Sequence, residues 1–186
     1  IAFRWLVVAQ RRLAERGIDN VTLVCADAGD LPLPDRVAGR VLSLGLIEHL
    51  PTFAPTLLEA ADILRPGGHL HLRTTNRYTL LAEPHVDVWG VGFVPARFAD
   101  RYVRWRNGER YLHLHPTAAG RLRRAMRRVG LVDVSVRAAA ALPSDVARLG
   151  GRATLAAIYN RGRRAPLVGR ALSWVAPLLE AHGVAR

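Results

Sequence analysis

The residues able to do chemistry gather at the ends of short apolar runs. His49 follows the run VLSLGLI and Glu48. An imidazole there can take a proton from a hydroxyl nucleophile, or it can hydrogen-bond a loop and hold a pocket closed. Glu48 is read as structural. Asn76, Arg77 and His85 come after a second run, HLHLRTT. That is the edge where open α/β sheets place ligands, so all three are candidates for touching a substrate. The plainer reading makes Asn76 a turn cap and Arg77 a solvated charge. His69 with His71, and His113 with His115, alternate as residues on one strand face do. Neither pair has a nearby cysteine or carboxylate to complete a ligand set, and no metal is expected. Trp89, Phe93, Trp105 and Tyr111 either wall an apolar pocket or pack within a lid.

These residues need elements to position them. Arg4 to Arg16 reads as a helix ended by Gly17. VTLVCAD is β-branched and apolar, as in a buried parallel strand, and GDLPLPDRVAG is a loop. RVLSLGLIEHL is a second strand running into a loop. Leu57 to Leu64 is helical, stops at Arg65-Pro66-Gly67-Gly68, and leads into HLHLRTT as a third strand. Alternation at this spacing makes the fold class α/β, with a parallel sheet crossed over by helices. From Asn76 to Gly92 no period is visible, as in a long loop or lid. Pro95 to Val103 and Thr117 to Val129 are expected helices, and LVDVSVRA a fourth strand. From Pro143 onward the chain reads as helical and basic, with an apolar face from Pro166 to Leu179.

With 186 residues, 50% of them hydrophobic, the chain can bury a core of its own. Cys25 is the single cysteine, which excludes an internal disulfide and fits a reducing compartment. No apolar run approaches the roughly 20 residues that span a bilayer, and no signal-peptide pattern opens the chain. A cytoplasmic location is expected. The net charge is +12, and every basic residue is arginine. That balance suits nucleic acid or an anionic membrane surface, although a GC-rich coding sequence gives the same composition. The segment RGRRAPLVGRALSWVAPLLEA either makes weak peripheral contact with a membrane or packs on the sheet with its arginines outward.

Three segments in fixed order, VCADAGDLPLPD, VLSLGLIEHL and LLEAADILRPGGHLHL, together resemble the class I S-adenosylmethionine-dependent methyltransferases, of the small-molecule type-11 kind. The resemblance is firm over about the first third of the chain. It implies a Rossmann-like sheet with helices on both faces and S-adenosylmethionine as cofactor. Asp27 would accept from the adenine amino group while the Ala28 amide meets a ring nitrogen. Leu44 and Gly45 would line the cleft, and Ile1 would pack on adenine. His49 is the catalytic candidate. The division implied is 1–75 as a partial cofactor-binding core, 76–115 as an insert or lid that binds the acceptor, 116–140 as the closing helix and strand, and 141–186 as a basic helical segment.

The sequence departs from that family in holding no glycine-rich turn, and no acid before the first helix. The first, second and last strands of the family sheet are therefore expected to be missing, with two sheet edges left bare. The expected activity is methyl transfer to a small-molecule acceptor, O-directed, by the protein of which this chain is a piece, with the piece alone binding cofactor weakly. The alternatives are an arginine-rich nucleic-acid-binding module and a non-catalytic, methyltransferase-like partner subunit.

Overall fold

The computed structural model describes residues 3–142 and 153–186. The helical stretch expected from Pro143 begins outside those residues. In chain order the elements are α1 (Phe3–Glu15), β1 (Ala38–Leu44), α2 (Ala54–Asp62), β2 (Leu64–Thr75), α3 (Ala96–Asn107), α4 (Ala119–Arg128), β3 (Val132–Ala138), α5 (Ala153–Gly162), α6 (Pro166–Val175) and β4 (Leu178–Val184). Short 3-10 turns occupy Ile47–His49 and Val91–Phe93.

The four strands form one open sheet in the order β1-β2-β4-β3. β1 and β2 run parallel, joined by α2, and Leu42 sits beside His71. β4 is antiparallel to both its neighbours, pairing His71 with His182 on one side and Ser135 with His182 on the other. Residues paired across strands share a face, and alternate residues face opposite ways. Leu70, Leu72, Leu179, Ala181 and Val136 therefore meet Leu57 and Ala60 of α2 and Leu122 and Met126 of α4 in the main core. On the other face lie His69, His71, Arg73, Glu180 and His182, with Leu42 and Leu44 of β1 64% and 68% exposed.

A second, smaller core forms among residues 86–114. Val86, Val88 and Val91 pack on Ala99 and Val103 of α3 and on Tyr111. Gly92 lets this strap close on itself: a Cβ there would overlap the Arg77 carbonyl.

Two expectations need correction. VTLVCAD is not a strand: among the described residues it has no sheet partner apart from one isolated bridge between Asp27 and Asp30. Val21 and Val24 stay exposed as a result. A strand is defined by hydrogen bonds to a neighbour, and a β-branched sequence cannot supply them alone. The closing strand, expected to be missing, is present as β4. The helix expected to reach Leu179 ends at Val175, because Ala176 turns extended (ψ 152°) ahead of Pro177. The next residues then insert between β2 and β3. The α/β class itself holds.

Candidate functional site

The C-terminal ends of β1 and β2 carry most of the candidates. At the end of β1, Gly45 adopts φ +64°, and its N–H donates to the Arg73 carbonyl (2.9 Å). This turns the chain into the 3-10 segment holding Glu48 and His49. Glu48 is only 4% exposed. Its Oε2 accepts from Thr74 Oγ1 at 2.7 Å and its Oε1 from Thr75 Oγ1 at 3.4 Å, both at the end of β2. The Glu48 carbonyl accepts from the His115 N–H (2.6 Å). Glu48 is thus the rivet that fixes the segment bearing His49, as its structural reading required.

His49 is exposed, and its ring meets that of His85 edge-on with centroids 5.2 Å apart. The fold brings together two residues separated by the whole of α2 and β2. His85 is oriented by a residue the sequence reading passed over. Glu83, 3% exposed, accepts from His85 Nδ1 (2.7 Å), from the His85 N–H (2.8 Å) and from the Val86 N–H (3.2 Å). The Glu-Pro-His spacing was the signal available: a carboxylate two residues before a histidine can fold back on it in an Asx-like turn. Tyr111 lies near enough for the Glu83 charge to act on it. Burial first, and that charge second, push its phenol well above the usual range. Asp100 holds the start of the Tyr111 segment: the Tyr111 N–H donates to it (2.9 Å), which, together with Arg104, keeps its carboxyl below the usual carboxylate range.

Asn76 is 1% exposed and donates its amide to the carbonyls of Trp174 (3.1 Å) and Ala176 (2.8 Å), anchoring the end of α6. Its side chain is committed to that anchor. Arg77 donates Nε to the Gly92 carbonyl (3.1 Å) and stands over the Tyr78 ring. Beside them opens a cleft of about 280 Å³ lined by Arg77, Tyr78, Thr117, Arg121, Arg124 and Trp174. Of these only Arg77 was a candidate from the sequence; Arg121, Arg124 and Trp174 come from α4 and α6, and only the fold gathers them.

Asp27 is exposed in a turn whose Oδ1 accepts from the Gly29 N–H (2.8 Å). The turn rests on α2: Leu31 N–H donates to Glu59 Oε1 (2.9 Å), and Gly29 lies against Pro55 and Thr56. The groups that an adenine edge would need are retained at these positions. Asp27 offers an exposed acceptor, Ala28 a backbone donor, and Leu44 with Gly45 an open apolar strand end. Ile1 lies outside the described residues.

Residues 1–72 match the family described as a methyltransferase domain. The chain is 27% identical over 138 residues to demethylmenaquinone methyltransferase of Geobacillus sp. (strain WCH70), an alignment covering 71% of this chain and 58% of that protein. It is 32% identical over 106 residues to the mitochondrial 2-methoxy-6-polyprenyl-1,4-benzoquinol methylase of Leishmania donovani, covering 55% of this chain and 35% of that one. The chain thus spans little more than half the length of the first relative and about a third of the second. Its fold resembles the solved Haemonchus contortus phosphoethanolamine N-methyltransferase 2 in complex with S-adenosyl-L-methionine, with a TM-score of 0.60, 14% identity, and coverage of 97% of this chain and 40% of that one. Residues 1–72 therefore carry a methyltransferase-domain sequence, and the chain has the fold of the class I S-adenosylmethionine-dependent methyltransferases.

Proposed function

We propose that this chain is the acceptor-side portion of an S-adenosylmethionine-dependent methyltransferase acting on a small molecule with a hydroxyl group, with that oxygen as the nucleophile. The observation that carries the reading is the end of β1, where Leu44 and Gly45 lie open and His49 follows on a segment riveted by Glu48. Bound cofactor supplies an activated methyl group and its leaving group together, so the protein's task is alignment and proton removal. Asp27 and Ala28 would hold the adenine edge, and Leu44 and Gly45 would line the cofactor site. His49, exposed beside the same strand end, takes the hydroxyl proton. The insert 76–115 borders the acceptor through Arg77 and His85. Asn76 contributes by holding the end of α6 in place.

The names of the two sequence relatives, one acting on a quinone and the other on a quinol, favour a quinone- or quinol-type ring as the acceptor for this chain as well. Amide NMR suits the weak affinity expected of the chain. Titrating S-adenosylhomocysteine to millimolar concentration should shift Ala28, Leu44 and Gly45. Shifts confined to other residues, or none, would remove the cofactor assignment. Labelled methyl transfer to a hydroquinone, measured in a protein carrying this segment, should drop at least about tenfold in His49→Ala. Label recovered on carbon instead of oxygen would overturn the O-directed part.

A further inference from the structure

We propose that Glu48, His49 and His85 form a binding site for a divalent transition-metal cation. One ligand atom from each lies within 4.8 Å of the other two. Bonds of about 2.0–2.2 Å from zinc to imidazole nitrogen and carboxylate oxygen require ligands roughly 3–4 Å apart. His49 is exposed and can close that gap by rotating, whereas His85 is held by Glu83 and the buried Glu48 carboxylate is fixed by Thr74 and Thr75.

A second observation points to a metal. Ligating histidines usually donate their other ring N–H to a carboxylate, which fixes the tautomer and aims the lone pair. Glu83 does this for His85: it accepts from Nδ1 at 2.7 Å, and an ionised carboxylate can only accept, so Nε2 carries the free lone pair. A buried glutamate folded back on an exposed histidine orients that ring toward His49. Two imidazole nitrogens and one carboxylate oxygen suit zinc, manganese, iron or cobalt. Magnesium and calcium prefer all-oxygen shells. Three protein ligands leave coordination positions open, as in catalytic sites.

The site stands on geometry alone. Its use rests on the methyl-transfer reading: in the metal-free chain His49 is free to serve as the base, whereas with metal bound the open positions would hold the acceptor oxygen and His49 would be a ligand. Binding is therefore tested without cofactor or acceptor, so that the two readings fail separately. Calorimetric titration of the metal-free 186-residue chain with zinc chloride should show one equivalent bound, with magnesium chloride giving no heat. His49→Ala, a surface change, should weaken zinc at least about tenfold while the melting temperature of the apo chain holds, and His85→Gln should weaken it likewise. Cobalt should give a visible absorption band that disappears in the same variants. No zinc uptake would overturn the site. So would uptake unchanged in the double variant but lost in His69→Ala or His182→Ala, where the rings of a second histidine cluster approach to 3.1 Å.

Discussion

Residues 3–37 and the sheet that follows them make an instructive contrast. The first region falls inside the family match, yet α1 has no buried residue, and Phe3 and Trp5 are 67% and 61% exposed. In the second, Leu70 and Leu179 are fully buried, as is Leu122 of the covering α4, and Leu72 is nearly so. Both regions have the hydrophobic pattern of their elements. Only in the second do the apolar residues have partners on both sides: β2 lies between β1 and β4, under α2 and α4, whereas the first region meets α2 through its 29–36 turn. A sequence pattern states what a segment can bury, and burial itself needs a partner surface.

The contrast can be broken by paired substitutions. Leu72→Ala should cost about 2–5 kcal/mol in denaturant unfolding, as expected for a core leucine. Val24→Ala, in the extended N-terminal segment, should fall within about 0.5 kcal/mol of the parent chain. Comparable losses at the two sites would mean that residues 3–37 are part of the cooperative unit. Next in size is Gly92→Ala. The added methyl must push the Arg77 backbone aside, and overpacking of this sort costs about 1–3 kcal/mol. Chemical-shift changes should concentrate between residues 77 and 111 and leave β2 and β4 unmoved.

The smallest expected effect sharpens the contrast between the two faces of the sheet. Burial, helped by His71 and His69 and opposed by Asp133, lowers the His182 imidazole below its usual range. Between that lowered value and 6.5 the unfolded chain binds more protons than the folded one. Stability should therefore rise with pH across this window and be lost as pH falls below about 6.5. Melting temperature measured from pH 7.5 to 5 should decline less steeply in His182→Gln. A slope unchanged by the substitution would assign the acid sensitivity to other groups.

Much of the sheet was legible in the residues. β1, β3, α3 and α4 form close to where the apolar runs and their Gly and Pro stops put them, whereas α2 ends at Asp62 and β2 begins at Leu64, running through the Arg65-Pro66-Gly67-Gly68 stretch expected as a stop. β4 was not, since LLEAHGV follows an amphipathic helix without a polar break and mixes residues that suit either state. Pro177 was the one local signal, and it gained meaning only from the slot between β2 and β3. Within the candidate site, Glu48 and His49 stood out as neighbours in sequence. The approach of His85 to His49 and the clasp of Glu83 depend on how the insert folds over Val103 and Tyr111.

The sequence by itself determined the α/β class, the order of the central elements and the acid-turn and Glu-His segments at their strand ends, because periodicity and turn chemistry are local. Tertiary structure decided which apolar runs became strands, which polar residues were spent as anchors and which met at one place. Those outcomes depend on hydrogen-bonding and packing partners far away in the chain, and no local pattern encodes a distant neighbour.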